Sequence, residues 1–230
     1  MRSAHGKGGG AAGLGERRGR RGFTLLETSM ALVIIGVGVL AFVEAQKTFV
    51  QNNSWSSHTA TATLLANEIR ERMRRLPRHD PVTGLYLEAQ GTGTSLQGWG
   101  LEAGEIAVDD FDDVDDYEDM RFGVDGDLPG PIDAFGNVIP ELDADGVPVL
   151  DERGDPVPLQ GWTQTVTVEK VDPFNFATAR APGFFEAAAG AFPGRSVDQY
   201  PLRVTVVVEY QGPYDTSPRE VARVFWISPP

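Results

Sequence analysis

Residues 22–45 read GFTLLETSMALVIIGVGVLAFVEA and directly follow a segment that contains four arginines. Between Phe23 and Val43 the only charged residue is Glu27. Because a helix needs about 20 apolar residues to cross the hydrocarbon of a bilayer, this stretch predicts a membrane-spanning helix. An ionisable group at membrane depth costs roughly 2.5–3.5 kcal/mol and is usually retained for a function. Glu27 is therefore a candidate functional residue.

The six residues from Gly22 to Glu27 resemble the processing site of type IV prepilins and type II secretion pseudopilins. The resemblance implies that a prepilin peptidase cuts between Gly22 and Phe23 and that the new terminus, Phe23, is N-methylated. It also implies that Glu27 serves subunit assembly, by pairing with the terminal amine of a neighbouring subunit. In a low-dielectric setting such a pair is favourable only when both charges are present.

Two other interpretations of this segment stay open. A basic region, an apolar region and small residues before Gln46 are also typical of a secretory signal peptide, although this apolar stretch exceeds the usual 7–15 residues. The segment could equally be a plain single-pass anchor. Either alternative predicts an acidic binding protein, membrane-anchored or secreted, in place of a filament subunit.

The distribution of charge predicts the orientation in the membrane and argues against nucleic acid as a partner. Positive residues remain on the cytoplasmic side of membrane spans, so the arginines predict a cytoplasmic N-terminus and an external head. Together with the resemblance, this orientation implies a single-pass protein of the inner (cytoplasmic) membrane with a periplasmic head. The leader, residues 1–22, carries +5, and subtracting this from the net −13 leaves −18 on residues 23–230. Such a charge opposes binding to nucleic acid. Without cysteine, a hydrophobic core or a bound cation must stabilise the head.

Helical patterning continues beyond the apolar stretch. Seven residues recur at spacings of three and four, which places them on one face of a helix: Trp55, Thr59, Ala62, Ala66, Ile69, Met73 and Leu76. Pro77 ends the pattern because its ring cannot continue the hydrogen-bond ladder. We therefore predict a long helix over residues 23–76, of which residues 23–43 lie in the membrane or in the filament core.

The opposite face of this predicted helix is charged. Glu68 stands four residues before Arg72, and Glu71 four residues before Arg75. This order favours ion pairs along a helix surface.

Alternating apolar residues late in the chain predict β-strands at Trp162–Val171, Leu202–Tyr210 and Val221–Ile227. The turn-forming residues Gln211–Pro218 predict an antiparallel hairpin between the last two strands. A long helix followed by antiparallel strands gives an α+β fold, in which the helix packs on a small sheet formed by residues 162–230. This arrangement resembles the pilin fold.

The middle of the chain, residues 77–161, is rich in Gly, Pro and Asp, and we predict an elaborated loop region of the head with short hairpins. Three Asp-x-x-Gly turns begin at Asp133, Asp143 and Asp151. The series Glu141, Asp143, Asp145, Gly146 and Glu152 nearly fits an EF-hand loop, but prolines and the absence of flanking helices argue against one.

The run Asp109–Asp119 contains eight carboxylates in eleven residues, which predicts either a solvated acidic loop or a site for a cation. The resemblance adds that some pseudopilins bind calcium through loops of the head. Calcium is thus possible for this chain, but the sequence assigns no metal ligand.

Catalytic motifs are not found in the sequence. There is no cysteine, and none of His5, His58 and His79 has a recognisable nucleophile motif near it. We therefore expect no enzyme but a minor pilin or pseudopilin, with other such subunits, prepilin peptidase, the inner membrane and exported protein cargo as partners.

Overall fold

The computed structural model describes residues 24–230, without the side chain of residue 51. The predicted cleavage site at Gly22 and Phe23 lies outside the described residues. The chain divides into two compact units, Met1–Asn52 and Asn53–Pro230. The long helix, α1, runs unbroken over Leu25–Met73 and so begins in the first unit and ends in the second.

In the first unit, α1 is apolar on all sides between Leu25 and Val43, apart from Glu27. Thr24 caps its start, because the Glu27 amide donates a hydrogen bond to Thr24 Oγ1 at 3.3 Å. All described side chains from Leu25 to Val50 are exposed. A helix that is apolar on every face is not stable in water by itself and needs a membrane or other helices around it.

In the second unit, the end of α1 packs on a sheet. Four members of the predicted helical stripe are buried together with Leu65 at no more than 2% exposure: Ala62, Ala66, Ile69 and Met73. They share a core with alternating valines of the sheet, among them Val166, Val204 and Val206. Trp55 and Thr59 remain exposed, so the stripe is buried only over its C-terminal half.

The strands pair throughout as antiparallel neighbours. A separate hairpin is formed by β1 (Tyr86–Gln90) and β2 (Gly93–Gln97). The main sheet has the order β3-β4-β6-β7, with β5 paired to the end of β4. Its members are β3 (Arg121–Phe122), β4 (Trp162–Asp172), β5 (Asn175–Ala179), β6 (Leu202–Tyr210) and β7 (Arg219–Ser228). The predicted α+β fold and the predicted hairpin of the last two strands are confirmed.

One buried side chain connects helix, loop and sheet in the second unit. Gln164 of β4 is fully buried. Its Nε2 donates to the carbonyl oxygens of Leu65 in α1 at 2.8 Å and of Ile132 at 3.1 Å. Its Oε1 accepts from the Ile132 amide at 2.8 Å. The side-chain amide of Gln164 thus connects α1, β4 and the loop at Ile132.

The three predicted Asp-x-x-Gly turns are confirmed. In each, the glycine amide donates to the aspartate carbonyl at 3.0 or 3.1 Å, and the glycine has a positive φ of 78–90°: Gly136, Gly146 and Gly154. The carboxylate of Asp143, in the EF-hand-like series, likewise stabilises its own turn. Asp143 Oδ1 accepts from the amides of Asp145 and Val147, both at 2.9 Å.

The predicted ion pairs along α1 were wrong. Glu68 accepts a hydrogen bond from the Ala134 amide at 2.8 Å, and Arg72 points into the head. Glu71 pairs with Arg74 at 3.3 Å, three residues away, and not with Arg75. Tertiary contacts therefore determine the positions of the Glu68 and Arg72 side chains, because these contacts contribute more than an exposed i,i+4 pair.

Candidate functional sites

Glu27 lies in the first turn of α1, where its carboxylate is favoured by the helix dipole. Its neighbours Leu25 and Leu26 are 87% and 71% exposed. Within residues 24–230, no positively charged side chain lies within 4.0 Å of Glu27. The described part of the chain supplies no counter-charge to this carboxylate.

The helix that carries Glu27 is long and apolar enough to cross a membrane, by length and composition. Core helices of soluble proteins can meet the same criterion, but they are mostly buried. Within residues 24–230, none of the apolar window in α1 is buried. Its surface is therefore available to lipid or to other helices.

The second candidate site is in the acidic run, whose centre is not a solvated loop. Asp113, Asp115 and Asp116 are at most 1% exposed. The interpretation of Asp109–Asp119 as a solvated loop was therefore wrong for its central residues, although Asp112 remains exposed. Buried carboxylates are rare unless they are paired or bind a metal.

Two of these aspartates build the turn around themselves. Asp113 Oδ1 accepts from the amides of Asp115 at 2.8 Å and Asp116 at 3.1 Å. Asp116 Oδ2 accepts from the amides of Asp112 at 3.0 Å and Asp113 at 3.1 Å. The second oxygens, Asp113 Oδ2 and Asp116 Oδ1, are buried and have no hydrogen-bond partner in the described part of the chain. One oxygen of each carboxylate is thus fixed by the backbone while the other is unused.

A second segment brings two glutamates to the same place. Glu105 Oε2 accepts from the Glu102 amide at 2.7 Å, and Glu102 Oε2 is also buried without a partner among the residues described. One oxygen each of Glu102, Asp113 and Asp116 lie within 4.8 Å of one another, as do oxygens of Glu105, Asp112 and Asp116. We refer to these five residues as the acidic cluster. Neither Glu102 nor Glu105 was predicted as a site residue from the sequence, because no periodicity links them to the acidic run.

The acidic cluster is electrostatically uncompensated. Burial, with the nearby Asp115, raises the pKa of Asp113 to about 9. Burial and the neighbouring Glu105 carboxylate raise the pKa of Glu102 to about 8. Burial and the charge of Asp113 raise the pKa of Asp116 to about 7. Among residues 24–230, no Lys, Arg or His lies within 4.0 Å of the five carboxylates.

Asp115 has a different environment, because cationic residues surround it. Its Oδ2 lies 3.1 Å from Nδ1 of His79, which is itself buried. Burial and the charge of Arg78 lower the pKa of His79 to about 4, so the ring is neutral at pH 7. Lys170 contributes a further positive charge near Asp115 and donates to the Val197 carbonyl at 2.7 Å.

Arg72 of α1 forms hydrogen bonds with one residue just before the acidic run and one residue within it. Its Nε donates to the Tyr117 hydroxyl at 2.6 Å, and its Nη2 donates to the Val108 carbonyl at 2.5 Å. The same guanidinium lies 3.9 Å from Asp109. Because Tyr117 is fully buried, this contact joins the acidic segment to the helix.

Comparison with protein families finds the prokaryotic N-terminal methylation motif at residues 17–43. The match covers the arginines, the Gly22–Glu27 motif and the apolar stretch. It supports a type IV pilin-like or pseudopilin-like prepilin, a class of structural proteins. With the exposed apolar helix, it is consistent with membrane anchoring, peptidase processing and assembly with other pilin subunits. No curated protein and no solved structure matches the chain.

Proposed function

We propose that the chain is a minor pilin or pseudopilin, a structural subunit of a type IV pilus or of a type II secretion pseudopilus. Prepilin peptidase cuts it between Gly22 and Phe23, and Phe23 is then N-methylated. The observation that carries this proposal is the methylation motif at residues 17–43 on a helix whose apolar side chains are unburied.

The two environments along α1 support assembly through this helix. Its C-terminal part is amphipathic and buries one face in the head. Its N-terminal part exposes apolar side chains on all sides, a pattern that suits lipid before assembly and neighbouring helices in a filament. The anchor crosses the inner membrane once, with the arginine-rich leader in the cytoplasm and the head in the periplasm.

Glu27 would obtain its counter-charge from another subunit. The described part of the chain offers it none, and the freed amino group of Phe23 on a neighbouring subunit is the partner we propose. Removing one member of a buried ion pair costs about 3–5 kcal/mol. The pair would therefore fix the relative position of two helices.

The head favours a minor role. The mature chain carries −18, and closely repeated heads of this charge would repel one another. A subunit present in few copies avoids this repulsion and can present its surface to other subunits or to exported protein cargo.

Mass spectrometry of the mature N-terminus tests the processing. The proposal requires a chain that begins at methylated Phe23. A chain that begins at Gln46 would indicate a secreted protein, and an intact leader would indicate a simple anchor. Either of these results would overturn the proposal.

A matched pair of substitutions tests the role of Glu27. Glu27→Gln should leave membrane insertion intact but reduce incorporation into sheared filaments or cross-linked subunit complexes at least tenfold, as loss of about 3–5 kcal/mol predicts. Glu44→Gln, which removes the other carboxylate of residues 25–50, should incorporate normally. Equal incorporation of both variants would contradict the proposed pairing.

A further inference from the structure

We propose that the head binds one calcium ion at the acidic cluster, with Glu102, Asp113 and Asp116 as direct carboxylate ligands. Glu105 and Asp112, beside Asp116, complete the site. This inference goes beyond assembly through α1 and involves only the second unit.

Three neighbouring carboxylates each have a buried oxygen without a partner. Among residues 24–230, Glu102 Oε2, Asp113 Oδ2 and Asp116 Oδ1 have no hydrogen-bond partner. Buried polar atoms are paired in the great majority of cases, and buried charges are paired or coordinate metals. The same three carboxylates each place one oxygen within 4.8 Å of the others, which indicates a shared partner that carries positive charge.

The spacing of the carboxylate oxygens fits one calcium ion. Calcium binds oxygen at 2.3–2.6 Å, so oxygens on opposite sides of one ion lie about 4.6–5.2 Å apart. The oxygens of Glu102, Asp113 and Asp116 are within 4.8 Å of one another. They are close enough to surround a single ion.

The backbone orients the proposed ligands before an ion binds. Backbone amides hold one oxygen each of Asp113 and Asp116, so the orientation of both free oxygens is set before an ion arrives. Glu102 is held through its own amide by Glu105. Ligands held in this way lose little conformational entropy on binding.

The ligand type selects a hard cation, since only carboxylates are present and His79 is engaged with Asp115. Magnesium demands near-ideal octahedral geometry and usually keeps its waters, with one or two carboxylates. Three direct carboxylates on irregular backbone, with two more alongside, fit calcium, which accepts six to eight oxygens in flexible geometry.

The consequence would be a stabilised loop. The ion would join the segment around Glu102 to the acidic run, and Arg72 joins that run to α1. Calcium would thereby fix the loop region of the head against the helix.

Isothermal titration calorimetry and thermal unfolding of the full-length protein in non-ionic detergent test the proposal, with 1 mM magnesium as background. We expect one saturable calcium site per chain. At a hundredfold excess over Kd, calcium should raise the melting temperature by about 5–11 °C. The absence of a saturable site, or an equal shift with magnesium alone, would overturn the proposal.

Variants locate the site. Asp113→Asn keeps the oxygen that accepts the two backbone amides and removes a buried charge, so it should fold without calcium but lose at least tenfold in affinity. Glu102→Gln, whose side chain does not hold the turn, should show the same loss. Asp145→Asn, in an exposed Asp-x-x-Gly turn, is the control and should bind as the parent protein does. Unchanged affinity in both cluster variants would place the ion elsewhere and refute the assignment.

Discussion

Replacing Gln164 by methionine should lower the free energy of unfolding, because it removes the hydrogen bonds that connect β4 to α1 and to Ile132. The volume of the core should be preserved. Gln164 is fully buried, and its amide makes three hydrogen bonds, two to Ile132 and one to Leu65. Methionine is unbranched and fills a similar space, but it offers neither the amide donor nor an equivalent acceptor.

The cost follows from the groups left behind. The Ile132 amide would be buried without an acceptor, at about 1–3 kcal/mol. The two hydrogen bonds from Nε2 contribute about 0.5–1.5 kcal/mol each. A loss of about 3 kcal/mol in the free energy of unfolding lies within this range, and it corresponds to a fall in melting temperature of about 6–12 °C for a chain of this length.

Tryptophan fluorescence of the full-length protein in detergent measures this effect, because all four tryptophans lie in residues 53–230. Gln90→Met is the matched control, since Gln90 is on the exposed face of the β1–β2 hairpin, where substitutions usually change stability by less than about 0.5 kcal/mol. If Gln164→Met melts at the same temperature as this control, the amide is not the connection that we describe.

Two further perturbations test the contacts around the acidic run. Arg72→Met should lower the free energy of unfolding by about 2–4 kcal/mol through loss of charge-assisted hydrogen bonds, whereas Arg74→Met, at an exposed position, should change it little; equal melting temperatures would contradict this. In the presence of chelator, stability should fall between pH 6.5 and pH 8, because burial raises the pKa of Asp113 to about 9 and the folded state therefore holds a proton that the unfolded state releases. His79 and Lys170, whose pKa values are lowered to about 4 and about 8, oppose this trend only outside that range, so a flat or rising melting temperature would show that Asp113 is not buried as described.

The strands were predictable where burial alternates along the chain. Val204, Val206 and Val208 face the core from β6, and a period of two in the sequence reports that directly. The strand β5, Asn175–Ala179, was missed because most of its residues are exposed. A strand without a buried face leaves no alternation to detect.

The helix was predictable in type but not in its contacts. Spacings of three and four located the residues that α1 buries, yet the same pattern could not show that burial stops short of Trp55. Nor could it show that Arg72 leaves the helix surface for Tyr117. Side-chain partners that are distant in sequence depend on the fold, which periodicity does not encode.

The acidic run shows why composition alone misjudges a site. Eight carboxylates in a short segment are on average solvated, because burying each charge costs free energy. This average fails when the backbone turns so that Asp113 and Asp116 cap each other's amides, since the capped oxygens no longer need water. The remaining buried oxygens then need a positive charge nearby. Glu102 adds another carboxylate instead of supplying that charge. Burial therefore changes what the same residues imply, from a surface that keeps a protein soluble to a group of carboxylates that favours a neighbouring positive charge.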